Sequence, residues 1–309
     1  NTVDELKEAL LFVKQTAVPP LVIGEGSNIL FSDGGYHGLV IKNSITGLQY
    51  EETNGQVELI SGAGEILDDV ISDSASKGYW GLENLSSIPG TIGATPIQNV
   101  GAYGVEVASL IARVVAISIE TAEEKVFDNK ACCFSYRDSY FKTVEGRKWI
   151  IIQVVFSLSS VPQPVLDYGD LKPLQGSGDI IPLTVREKVV AIRAGKFPDW
   201  TQAGTAGSFF KNPIISKVQY QSLLVKYPAL PGYKSGEDKI KVSLGWVLDN
   251  ICNLKGFCKN GVCLYEKQAL VLVNQDNVSA SVIKEFVKYV VDSVKKETGI
   301  VIEQEVRNI

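Results

Sequence analysis

Between Gly81 and Gly104 the chain places glycine at 81, 90, 93, 101 and 104 and proline at 89 and 96. The segment follows neither helical nor strand periodicity. A compact domain seldom carries an irregular stretch of this length unless it serves a function. Its glycines permit left-handed backbone and close approach of other groups.

Those flanking segments alternate irregularly. Residues 2–15 read as a helix, with Val3, Leu6, Leu10 and Val13 on one face and Pro19-Pro20 as the stop. Strands are expected at Leu21–Ile23, Leu39–Ile41 and Val57–Ile60, then a helix from Ile66 to Lys77 stopped by Gly78. Ala112–Glu120, Glu124–Phe127 and Trp149–Leu158 read as strands, and residues 159–182 as a polar loop. The second half predicts a helix at Thr184–Ala194, a glycine-rich loop at Ala203–Pro213, a short helix at Ser243–Asn250 and a strand at Ala269–Val273. A long amphipathic helix at Val278–Thr298 and an extended tail at Ile300–Val306 follow. The mixture is α+β, without regular βαβ alternation. At 309 residues, two or three packed domains are expected.

The net charge of −5 argues against binding a nucleic-acid backbone. A small anion remains open to backbone N–H groups and a few local cations. No apolar run approaches the roughly 20 residues that span a bilayer. The acidic start lacks the form of a signal peptide, so no membrane association and a cytoplasmic location are expected. The five cysteines show no CxxC spacing and read as free thiols of a reducing compartment. With a single histidine, His37, a zinc site is not expected. His37 lies in the turn Ser32–Gly38, a poor place for the general base of a hydrolase.

Gly24-Glu25-Gly26 follows a strand, as the dinucleotide fingerprint does, but Ser27-Asn28-Ile29-Leu30 follows where that fingerprint opens a helix. What remains is a tight loop whose N–H groups an anion can approach. Ile88-Pro89-Gly90-Thr91-Ile92-Gly93 repeats the offer, with Gln98-Asn99-Val100-Gly101 just beyond. Two such loops on separate elements suit a pyrophosphate. Arg137, in Tyr136-Arg137-Asp138-Ser139, is a candidate carboxylate clamp. Ser208, in Gly207-Ser208-Phe209-Phe210-Lys211-Asn212-Pro213, is a candidate proton donor. Glu303 and Glu305 alternate onto one side of the tail.

Taken in order, these blocks, with Ser243–Asn250 and Glu266–Asn274, resemble the UDP-N-acetylenolpyruvoylglucosamine reductase family nearly end to end. The resemblance implies a vanillyl-alcohol-oxidase-type FAD-binding fold of two α+β subdomains, residues 1–46 and 47–194. Residues 195–301 would form a third, substrate-binding domain, and the tail 302–309 would return to the first. It implies Arg137, Ser208 and Glu305 as catalytic residues. Gly24, Gly26, Ser27, Asn28, Gly90, Gly93, Gln98, Asn99 and Gly101 would surround non-covalent FAD. Lys196 and Asn212 would face the UDP moiety, and Tyr168 would cover the substrate. NADPH is the implied co-substrate, the sugar nucleotide the implied partner, and the monomer the expected state. Two positions depart from the family pattern: Gln304 stands where proline is usual, and Thr205 where asparagine is common.

Overall fold

A computed structural model describes residues 1–178, 180–199 and 202–309. Asp179, within the expected 159–182 loop, lies outside the described residues. Contacts group the chain into two compact units. The first comprises residues 1–27 and 37–193, the second residues 28–36 and 194–309.

In the first unit, helix Val3–Thr16 begins at a capping box. Thr2 Oγ1 accepts from Glu5 N at 3.2 Å, and Glu5 Oε2 accepts from Thr2 N at 3.0 Å, which satisfies two end donors reciprocally. The helix buries Leu6, Leu10 and Val13, and ends where Ala17 turns left-handed ahead of the two prolines. Pro20–Ile23 pairs in parallel with Leu39–Lys42. Among the described residues the main sheet has five strands, antiparallel throughout. Their spatial order is Leu48–Thr53, Gln56–Gly62, Trp149–Ser159, Ile111–Ser118, Glu124–Asp128.

Strand alternation supplies this sheet with apolar side chains on both faces. Ile117, Ile150 and Ile152 cluster with Leu6 and Leu10 of the first helix. Leu59, Val114, Val154 and Phe156 join a second cluster with Val70 and Ile71 of helix Leu67–Ser76. Each fully buried side chain of this kind contributes about 1.5–3 kcal/mol. This antiparallel layout, with a strand at Ile29–Leu30 and no helix after Gly26, excludes the doubly wound dinucleotide fold.

The Gly81–Gly104 stretch lies against the second cluster, and Leu82, Leu85 and Ile92 are fully buried. It is built from the short 3-10 turns Glu83–Leu85 and Ile92–Ala94, the single-turn helix Thr95–Gln98, and a hairpin pairing Gly101–Ala102 with Val105–Glu106. A buried irregular segment must still satisfy its backbone. Ile92 N donates to Glu65 O, Gly93 N to Ala63 O, and Leu67 N to Gly90 O.

Helix Pro182–Lys196 is tied to helix Leu67–Ser76 by a forked ion pair. Arg186 Nη1 and Nη2 donate to the two oxygens of Asp68 at 2.6 and 2.9 Å. Burial pushes the Asp68 carboxyl up, but Arg186, the Ser87 N–H and the charge of Arg193 outweigh it and hold the carboxyl below its ordinary value.

In the second unit, one sheet runs Gly204–Ser208, Val271–Asn274, Val262–Leu264, Cys258–Lys259. Another runs Ile214–Ser216, Lys239–Val242, Gly232–Lys234. Helix Ala280–Thr298 packs Val287, Val290 and Val294 into a core with Phe209, Phe210, Leu244 and Leu248. The expected helix at Ser243–Asn250 is an α-turn at Leu244–Trp246 that widens to π-helix over Val247–Ile251. In the tail, Arg307–Asn308 pairs in parallel with Ile29–Leu30.

The five cysteines are not all free thiols. Cys258 and Cys263 are joined in a disulfide, leaving Cys132, Cys133 and Cys252 as thiols. The two are register partners across a tight hairpin, a proximity that a search for CxxC spacing does not detect. Burial pushes the Cys132 thiol up to about 12 and the Cys252 thiol up to about 11. Among the described residues no helix is long and apolar enough to cross a membrane.

Candidate functional site

The two glycine loops read from the sequence meet in the first unit. A Cβ on Gly24 would overlap Thr91 Oγ1, so only glycine lets the second loop approach. Ser27 Oγ donates to Pro89 O at 3.3 Å, and a Cβ on Gly90 would come within 3.2 Å of that same hydroxyl. Gly93 lies where a Cβ would come within 2.7 Å of Ala63 Cβ. Gly26 differs: its φ is 73° and a Cβ there would meet nothing within 4 Å. Among the described residues none accepts a hydrogen bond from the backbone N–H of Glu25, Gly26 or Ser27. A glycine-flanked loop whose N–H donors are not taken up by the protein, and whose one carboxylate, Glu25, is paired with Lys42 at 2.8 Å, suits a phosphate, so the residues present fit the pyrophosphate of FAD.

Thr91, which seals this junction, was not among the residues singled out from sequence. Its only signal there was a β-branched residue between two glycines. Gln98 ends the helix Thr95–Gln98. Asn99, 1% exposed, spends its whole side chain on the protein. Its Nδ2 donates to Ser135 O and Glu106 Oε2, and its Oδ1 accepts from Ala108 N. Close by, burial pushes the Glu83 carboxyl up, against its bonds to the Glu83 and Gly81 N–H groups.

Arg137 occupies a two-residue turn closed by Ser135 and Asp138, which exchange both backbone bonds. Its φ is 54°. Nη2 donates to Gly101 O at 2.7 Å and Nη1 to Asn99 O at 3.4 Å. Gly101 makes this approach feasible, since a Cβ there would sit 3.2 Å from Nη1. The sequence-derived arginine and the second glycine stretch are thus one assembly. Tyr168, about half exposed, packs edge-on against Tyr103 with ring centroids 5.2 Å apart. Asn84 Nδ2 donates to Tyr103 O and to Val165 O, tying the Tyr168 segment to the glycine stretch. Sequence reasoning missed Asn84 as well.

Ser208 and Glu305 come together in the second unit. Ser208 closes strand Gly204–Ser208, where the register against Val271–Asn274 slips by one residue between Thr205 and Ser208. Gly207, at φ 72°, makes the bulge. Thr205 and Ser208 therefore share a face that strict alternation would deny them. Thr205 Oγ1 donates to Leu272 O and accepts from Gly207 N, bracing the bulge. Immediately after it, Glu305 N donates to Phe209 O, Lys211 N donates to Glu303 O, and Phe210 bridges Gln304. Those bonds belong to residues 303 and 305, so the N–H of residue 304 takes no part and glutamine serves where proline is usual. Glu303 lies in solvent beside Lys211, whereas Glu305 is half-buried.

Asn28 Nδ2 donates to Glu305 O at 3.3 Å, and Asn28 belongs to the second unit while Gly24, Gly26 and Ser27 belong to the first. Asn212 Oδ1 accepts from Leu244 N at 2.9 Å, which holds the start of the α/π-helical segment. Lys196 is the last residue of helix Pro182–Lys196.

Residues 1–128 match the family model described as an FAD-binding domain, and residues 199–309 that of the UDP-N-acetylenolpyruvoylglucosamine reductase C-terminal domain. These two domain matches define an FAD-dependent oxidoreductase. The chain is 36% identical over 307 residues to the UDP-N-acetylenolpyruvoylglucosamine reductase of Pasteurella multocida, covering 99% of this chain and 89% of that protein. It is 38% identical over 310 residues to that of Bacteroides fragilis, covering 100% and 92%. The chain belongs to the UDP-N-acetylenolpyruvoylglucosamine reductase family. The crystal structure of the Thermus caldophilus reductase aligns with a TM-score of 0.67 at 23% identity, over 100% of this chain and 90% of that one, and it shares the fold.

Proposed function

We propose that this protein reduces the enolpyruvyl ether of UDP-N-acetylglucosamine to UDP-N-acetylmuramate for peptidoglycan synthesis. In this reading it works as a monomer in the bacterial cytoplasm, with non-covalent FAD and with NADPH as electron donor. When bound, FAD would supply hydride transfer between NADPH and C3 of the enolpyruvyl group. Gly24, Gly26, Ser27, Asn28, Gly90, Gly93, Gln98 and Gly101 hold the cofactor, with the N–H groups of the first loop on its pyrophosphate, and Asn99 serves the same seat from behind, its buried side chain fixing the glycine stretch to Ser135, Glu106 and Ala108. Residues 1–46, with the tail 302–309, and residues 47–194 serve the flavin, and residues 195–301 the substrate.

Addition at C3 leaves negative charge on C2 and its carboxylate. Arg137 stabilises that charge through its planar fork, and Glu305, in its acid form, adds a hydrogen bond. Preorganised groups of this kind are commonly the largest catalytic contribution. Ser208 donates its hydroxyl proton to C2 and recovers one from solvent. Lys196 and Asn212 bind the UDP moiety, and Tyr168 covers the substrate.

The observation that carries this reading is the backbone pairing that sets Glu305 beside the bulge at Ser208. The test is an anaerobic absorbance trace near the flavin band. NADPH should bleach the protein and the enolpyruvyl sugar nucleotide should restore the colour. Bleaching without recovery would remove the substrate assignment, and a protein that takes up no FAD would remove the whole reading.

A further inference from the structure

We propose that Lys142 is a positioning residue for Arg137, required for the half-reaction with the enolpyruvyl substrate and not for flavin reduction. This rests on the reading of Arg137 as the group that meets the substrate carboxylate. A non-glycine residue with positive φ is held there against its own preference, and Arg137 has a φ of 54°. The exchanged bonds of Ser135 and Asp138 close the turn but leave the Arg137 carbonyl outside it. Lys142 Nζ donates to that carbonyl at 2.6 Å, a charge-assisted bond of the stronger kind.

The lysine starts from a fixed base. It ends the 3-10 turn Tyr140–Lys142, beside Phe141, which is 4% exposed and packs edge-on against Phe127 at 5.3 Å. Tyr140 N donates to Cys132 O, and Ser139 Oγ donates to Ile97 O. At its far end the guanidinium is held by Gly101 O. Arg137 is thus pinned at its peptide by Lys142 and at its head by the glycine stretch. A fork that grips a carboxylate with two parallel bonds needs its plane set in advance. Without the ammonium, the Arg137–Asp138 peptide keeps only the bond from Asp138 N to Ser135 O, so the left-handed backbone and the side chain it carries are less firmly set.

The test uses the FAD-loaded full chain and follows both half-reactions by rapid-mixing absorbance. Lys142→Met should slow recovery of colour with the enolpyruvyl substrate by about tenfold, while bleaching by NADPH changes by less than about twofold. Lys142→Arg, which keeps the charge and an N–H donor, should restore most of the rate. Calorimetric binding of the sugar nucleotide to the oxidised protein should weaken in parallel. In an Arg137→Ala background, Lys142→Met should add nothing. Should Lys142→Met fail to retain flavin, Lys142→Gln, with an uncharged donor, replaces it in the same cycle. Equal slowing of both half-reactions, or additive losses in the double variant, would overturn the proposal while leaving Arg137 in its role. Full recovery of colour in Arg137→Ala alone would overturn the underlying reading as well.

Discussion

Gly24 and Thr91 meet with no room for a methyl group between them. Gly24→Ala should therefore cost about 1–3 kcal/mol by overpacking and loosen FAD. Adding Thr91→Ala should recover much of the affinity, because the obstructing atoms are Oγ1 and Cγ2 and the remaining Cβ lies 3.3 Å away. Fluorescence titration of the flavin-free proteins measures this, and a double variant no better than the single one would show that the clash is not the cause. Ser208→Ala should slow recovery of colour by about 10²-fold, the scale of a lost general acid, with bleaching by NADPH unchanged. Ser208 was legible because a serine between a glycine and two aromatics is unusual. The face it occupies was not, since that depends on the one-residue slip against Val271 on a strand far along the chain.

Helices Leu67–Ser76 and Pro182–Lys196 are joined through Asp68 and Arg186, whose side chains are 32% and 15% exposed. Asp68→Asn removes the charge but keeps the shape, and should cost about 1–3 kcal/mol in urea unfolding at neutral pH. Because the folded-state carboxyl titrates below its ordinary value, its contribution is present above the unfolded value of about 3.9. It is lost as pH falls through the lower folded one. Wild type and variant should therefore converge in stability as pH drops below about 4; a gap that persists there would mean the asparagine costs packing and not charge.

Elements with strong apolar periodicity, such as Val3–Thr16 and Ala280–Thr298, could be read directly. Helix Lys217–Lys226 could not: it buries only Leu223 and leaves Val218 and Val225 in solvent, so its stripe is too narrow to register. Strands Leu48–Thr53 and Lys239–Val242 were missed for a related reason. Leu48–Thr53 is largely polar, and its partner, not its own pattern, makes it a strand, whereas Lys239–Val242 alternates but over four residues only, too short to register without its two partners.

The chain divides into two units, and the first loop changes units between Ser27 and Asn28. FAD at about a hundredfold over its dissociation constant should add about 2.7 kcal/mol to the state that binds it, raising the melting temperature by roughly 4 °C. Differential scanning calorimetry of flavin-free and FAD-loaded protein checks this. No shift would mean that the packed glycine loops do not form the cofactor's seat.

Local chemistry alone marked the glycine loops, the Arg137 turn, the Ser208 segment and the helices with broad apolar faces, because residue type and short spacing carry those signals. Tertiary structure decided what depends on register between distant segments. It set Thr91 under Gly24 and the guanidinium of Arg137 over Gly101. It also put Glu305 beside Phe209 and Cys258 opposite Cys263. Each of these is a contact of a few ångströms between groups whose separation along the chain says nothing about their distance in space.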